Sequence, residues 1–186
     1  PITSTKRLAE NLIEDIENHD LHAAVDGGKK IKLLMENLET LVSDIVSLVR
    51  ADVSTDEVES IDASVLLTES CERIKLFADQ NDCRIQTKNQ CTMDLNIERG
   101  RMSQIVDNLI SNGIKYKDNT KTENYVSVSI FNTSTTIGIT VEDNGIGIPE
   151  KFQSKMFDMF KRFHSDSFGS GLGLAIVKKH VDRLQG

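Results

Sequence analysis

The sequence predicts an α+β protein: an N-terminal helical hairpin followed by an α/β sandwich, with helices layered on one face of a mainly antiparallel sheet. Three observations predict it. The first fifty residues show only three- and four-residue apolar spacing, the later residues alternate between helical and two-residue spacing, and an acidic, polar stretch from Ala51 to Glu59 lies between. The expected division is residues 1–50 as hairpin, 51–59 as linker and 60–186 as the second domain.

In the hairpin, Leu8, Leu12, Ile13 and Ile16 share one face of a first helix. The stretch from Asn18 to Gly28, closing on Gly27-Gly28, is the expected turn. Ile31, Leu34, Leu38, Leu41, Ile45 and Leu48 then recur in steps of three and four, a coiled-coil-like seam. Two helices with such seams do not bury them fully against each other. A homodimeric four-helix bundle encloses both stripes; packing on the rest of the same chain is the alternative.

Beyond the linker, Ala63 to Asp79 has helical spacing, Arg84 to Asn96 contains a strand or two, and Glu98 to Tyr116 is a strongly amphipathic helix. Val126, Val128 and Ile130 alternate, as do Ile137, Ile139 and Val141, with Asn132-Thr133-Ser134-Thr135 between them: a β-hairpin. A last helix spans about Leu172 to Leu184.

Composition narrows the function. A net charge of −7 argues against broad nucleic-acid binding, which needs clustered cations to neutralise phosphates. No apolar run approaches the roughly 20 residues that cross a bilayer, so no membrane contact is expected within this chain. Three cysteines without a C-x-x-C pair support neither a disulfide framework nor a zinc site, and a cytoplasmic setting is expected.

Four segments carry chemistry. On the 98–116 helix, Asn108, Asn112 and Lys115 gather opposite the apolar arc of Met102, Ile105, Val106, Leu109 and Ile110. A neutral amide oxygen suits Mg²⁺, which keeps waters and substrate phosphate oxygens as its other ligands, and the lysine supplies a point charge for phosphate. Taken alone, these residues also describe a solvated helix face. The second segment is Asp143-Asn144-Gly145-Ile146-Gly147, where an aspartate at a strand end can accept from an adenine amine and the glycines let a ligand approach the backbone. The third, Gly169-Ser170-Gly171-Leu172-Gly173, opens the last helix as phosphate-binding turns do, without the context of a P-loop or a dinucleotide fold. Between them, residues 152–163 hold four of the seven phenylalanines, fit for packing or for anchoring a lid over a nucleotide.

The order of these segments resembles the histidine-kinase branch of the ATPase superfamily that includes the gyrase, heat-shock chaperone and mismatch-repair ATPases (the GHKL, or Bergerat, fold). Residues 108–116 are similar to the asparagine box, 143–147 to the first glycine box, 157–160 to the phenylalanine box and 169–173 to the second glycine box. The hairpin resembles the dimerisation and histidine-phosphotransfer domain of two-component sensor kinases. The resemblance implies ATP and Mg²⁺ as cofactors, with Asn108 on the metal, Asn112 and Lys115 by the phosphates and Tyr116 bordering the nucleotide. Asp143 would read adenine, and Gly145, Ile146 and Gly147 would shape its pocket. Phe157 and Phe160, with Gly169, Ser170, Gly171, Leu172 and Gly173, would complete the site.

It further implies γ-phosphoryl transfer to a histidine, relay to the aspartate of a response-regulator receiver domain, and homodimerisation. The acceptor histidine is expected just upstream of Pro1, because Pro1-Ile2-Thr3 looks like the tail of the family's H-box. His19, His22, His164 and His180 have no such context and are expected on the surface or in packing. Further C-terminal strands are expected after Gly186. Gly113 stands where the family usually has alanine, and Gln104 where gyrase-type ATPases place a catalytic glutamate. A catalytically silent, ATP-responsive scaffold is the competing reading.

Overall fold

The computed structural model describes residues 2–53, 57–161 and 170–186. Helices α1 (Ile2–Glu17) and α2 (Leu21–Val53) form the hairpin. Its turn is shorter than expected. His19 takes a left-handed conformation (φ 60°) and the Asp20 carboxylate accepts from the Ala23 N–H at 3.0 Å, so α2 starts at Leu21. Gly27 and Gly28 consequently lie inside α2 rather than in a turn. Each costs a helix about 1 kcal/mol relative to alanine, and the cap and the packing of Gly27 against Leu12 outweigh it.

Strand β1 (Val58–Ile61) begins within the stretch read as linker and pairs antiparallel with β3 (Leu95–Glu98), Ile61 opposite Leu95. Helix α3 (Ala63–Gln80) is capped by Asp62, whose side chain accepts from the Ser64 N–H at 2.7 Å. Then come β2 (Cys83–Gln90), α4 (Arg99–Lys115), the hairpin β4 (Asn124–Asn132) and β5 (Ile137–Asp143), the single turn α5 (Glu150–Gln153) and α6 (Gly173–Arg183).

The main sheet has the order β2-β4-β5. Its β4/β5 pairing is antiparallel, as the turn chemistry requires, but β2 and β4 are parallel. The path between them through β3 and α4 is a crossover, which parallel neighbours need and a short turn cannot supply. The sheet is therefore mixed. Central β4 points Val126, Val128 and Ile130 at the helices, and these pack with Leu66 of α3 and with Val106, Ile110 and Ile114 of α4, all fully buried. At roughly 1.5–3 kcal/mol for each fully buried aliphatic side chain, this layer anchors α4 on the sheet. The opposite side of α4 is left for α6.

Candidate nucleotide site

A cavity opens where α4, the end of β5 and the start of α6 converge. Helix α4 lines it with Asn108, Leu109, Asn112, Gly113 and Lys115, and Tyr116 follows at its C-cap. One continuous helix face thus presents two amides and an ammonium, while the adjoining arc is spent on the sheet. Leu109, which the spacing placed with the core, sits half-buried on the border between them.

Asp143 ends β5 and lines the cavity wall. Its Oδ1 accepts from the Gly145 N–H at 2.8 Å, which fixes the carboxylate and leaves the other oxygen for a ligand. Asn144 pins this corner to the sheet. Its Oδ1 accepts from the Tyr125 N–H and its amide donates to the Glu123 carbonyl, both at 2.9 Å. Gly145 is required by close approach. A Cβ there would stand 2.2 Å from the Tyr116 carbonyl oxygen, which accepts from the Ile146 N–H at 2.9 Å and ties the loop to the end of α4. Gly147 (φ 68°) also lines the cavity, whereas Ile146 is exposed.

Ser170, Gly171 and Gly173 line the end of the cavity nearest α6. The Ser170 hydroxyl accepts from the Leu172 N–H at 3.1 Å, and the first turn of α6 begins at Gly173 with amides that no helical carbonyl can satisfy. Gly173 faces the side chains of Asn108 and Asn112, with its would-be Cβ 3.5 Å from both. Leu172 points into the core, fully buried. Gly169 and His164 lie outside the described residues. Phe157 and Phe160 are exposed and do not line the cavity; Met156 does, with Ile148 and Lys161. Phe160 is held in the left-handed region (φ 61°) by its N–H bond to the Gly171 carbonyl at 2.9 Å, which ties the end of one described segment to the start of the next.

Lys115 reaches solvent through the mouth but is crowded by protein. Loss of hydration pushes its ammonium below the usual lysine range, and the negative charge of Asp44 pulls the other way. That aspartate belongs to α2 and lines the cavity, a participant that sequence reasoning missed because nothing sets it apart on a polar helix face. Nearby acids and amides are committed elsewhere. Asp107 holds Arg73 through two hydrogen bonds of 2.8 and 3.1 Å, and the Gln104 amide oxygen accepts from the His180 ring at 2.8 Å.

Residues 98–186 match the family described as histidine kinase-, DNA gyrase B-, and HSP90-like ATPase. The sensor protein kinase WalK of Staphylococcus epidermidis is 32% identical over 159 residues, covering 81% of this chain and 25% of WalK. Residues 98–186 belong to this ATPase family, and the chain is similar to sensor histidine kinases. Two solved histidine-kinase structures share its fold. Full-length ShkA in complex with AMPPNP has a TM-score of 0.66 at 21% identity, over 91% of this chain and 34% of ShkA. ThkA in complex with the response regulator TrrA has a TM-score of 0.67 at 17% identity, over 100% of this chain and 53% of ThkA. The chain thus spans about a quarter of the length of WalK. No helix among the described residues is long and apolar enough to cross a membrane.

Proposed function

We propose that this chain is the ATP-binding and dimerisation core of a sensor histidine kinase, which transfers the γ-phosphoryl group of Mg-ATP to a histidine of the dimerisation helices for relay to a receiver-domain aspartate. The observation that carries it is the convergence on one cavity of a base-reading carboxylate, Asp143, two amides and a lysine from α4, and the open N-terminus of α6. The carboxylate matches the exocyclic amine of adenine. The lysine and the helix end match phosphates.

The donor set also fits Mg²⁺. No cluster of three or more His, Cys, Asp or Glu able to hold a metal exists among the described residues, so a cation in this cleft needs phosphate oxygens as its main ligands. Asn108 would add one neutral oxygen to them. Bound with the nucleotide, Mg²⁺ supplies charge neutralisation on the phosphates. The chain's own work is positional: Asp143 orients the base, Asn112 and Lys115 hold the phosphates, and the glycines admit them to the backbone.

Transfer to a histidine is favoured over hydrolysis because Gln104, where gyrase-type ATPases carry a glutamate, is engaged by His180, and Asp107 by Arg73. Neither is available to activate water. ShkA is solved with AMPPNP and ThkA with a response regulator, which supports the same reading for cofactor and partner. The test is to give radiolabelled ATP to the full-length protein. Acid-labile, base-stable label on the protein is expected, and its loss in Asp143→Asn together with loss of magnesium-dependent ATP binding. Steady ATP hydrolysis without label would assign a gyrase-type ATPase instead, and binding without label or hydrolysis a silent scaffold.

A further inference from the structure

We propose that α2 carries a built-in competitor for the triphosphate: the Asp44 carboxylate takes the seat of a phosphate in the nucleotide cavity, so that docking of α2 on α6 and binding of ATP exclude each other. The proposal rests on the nucleotide reading of the cavity given above.

Asp44 lies three residues after Leu41 and four before Leu48, so the helix repeat turns it toward the seam of α2 rather than away from it. It is half-buried, an expensive place for a carboxylate unless it is paired. The pairing comes from the site. Ser170 donates its hydroxyl to the Asp44 carboxylate, and the same hydroxyl accepts from the Leu172 N–H at the head of α6. The Asp44 charge also acts on Lys115 across the cavity. One turn further along, Lys179 of α6 donates to the Leu48 carbonyl at 3.0 Å, which fixes the register of the two helices. An anion is therefore already held by the Ser170 hydroxyl at the head of α6 and within the field of Lys115, groups that a phosphate would use.

Two anions cannot share these donors without strong repulsion at low local dielectric. ATP entering with its triphosphate has to displace Asp44, and with it the hold of α2 on α6. By reciprocity, docking of α2 weakens ATP by the same factor that ATP weakens docking. The nucleotide thereby releases the domain that carries it from the helical hairpin, as delivery of phosphate to a distant acceptor requires. Adenosine, which has no phosphate, should be indifferent to the state of α2.

The experiment titrates the 186-residue chain and its Asp44→Asn variant with Mg-ATP and with adenosine by calorimetry. The variant should bind ATP roughly tenfold more tightly and adenosine equally well. A second readout keeps Asp44 and carries a fluorophore pair introduced at the exposed positions of Glu39 and Arg183: ATP should lengthen the separation and adenosine should not. Equal ATP affinity in both proteins, a gain shared by adenosine, or a separation unmoved by ATP would overturn the competitor. Absence of ATP binding in both folded proteins would instead overturn the nucleotide reading itself.

Discussion

Glycine and lysine positions show how single residues set the site. A Cβ at Gly113 would stand 2.7 Å from Val126 Cγ2 and 3.2 Å from Asp143 Cβ, so this glycine, costly to a helix, lets α4 lie close against β4 and β5 beside the Asp143 carboxylate. Gly145 is more demanding, because its neighbour is backbone. Gly145→Ala must push the loop from Tyr116 and break the Ile146 N–H bond, at about 1–3 kcal/mol of stability; chemical denaturation should record that loss, and ATP titration a fall in affinity of about tenfold or more, each 1.4 kcal/mol being tenfold. Lys115 gives a pH signature. Phosphate favours its charged form, whereas desolvation has lowered its pKa. Below the depressed value the lysine is already charged and binding is unaffected; as pH rises through it, Lys115 must take up a proton for ATP to bind. ATP affinity should therefore decline on the alkaline side, below the ordinary lysine range, with proton uptake visible as a dependence of binding heat on buffer ionisation enthalpy. Lys115→Met should remove both effects.

At the scale of elements, the α4/α6 interface explains why the two cavity-lining segments stay together. Arg101 is 1% exposed, donates to Glu98 at 2.6 Å and lies 3.3 Å from His180 Nδ1, whose other ring nitrogen meets Gln104. Removing one member of a buried ionic network leaves the others uncompensated, at about 3–5 kcal/mol. Arg101→Ala should lose that much in urea unfolding, and with it the register of Gly173 against Asn108 and Asn112. None of this was legible from periodicity, which treats Arg101 and His180 as polar positions and cannot see that 79 residues of chain bring them together. The elements that were legible, α3, α4, α6 and the β4/β5 hairpin, owe it to strong local signals: apolar stripes, alternation and a turn rich in Asn and Thr. Strand β1 escaped because VESI lies in an acidic stretch and buries only Ile61. The start of α2 escaped because the Asp20 cap outweighs the two glycines. In the site, the boxed residues of α4 and Asp143 were readable as chemistry on a helix face and a strand end, but Asp44 belongs to a distant helix and carries no local mark.

For the whole molecule, the hairpin poses the remaining question of what covers it. Helix α1 meets α2, and the C-terminal part of α2 meets α6, which leaves Ile31, Leu34, Leu38 and Leu41 half-buried. A second stripe on α2 has no such cover. Met35, Val42, Val46 and Val49 recur at intervals of seven, four and three, each more than 40% exposed. An apolar stripe at that spacing suits helix pairing, and in the proposed homodimer a second copy of the hairpin would offer the matching stripe by two-fold symmetry and close a four-helix bundle. The stripe lies apart from Asp44 and Leu48, the positions that meet the start of α6 and Lys179, so such a dimer would use a different side of α2 from α6. Val42→Glu with Val46→Glu should consequently yield a monomer in sedimentation analysis, since each charge would be desolvated against its symmetry mate. ATP binding should survive in that monomer, because no cavity residue is altered. A variant that remained dimeric would place the pairing surface elsewhere on the chain.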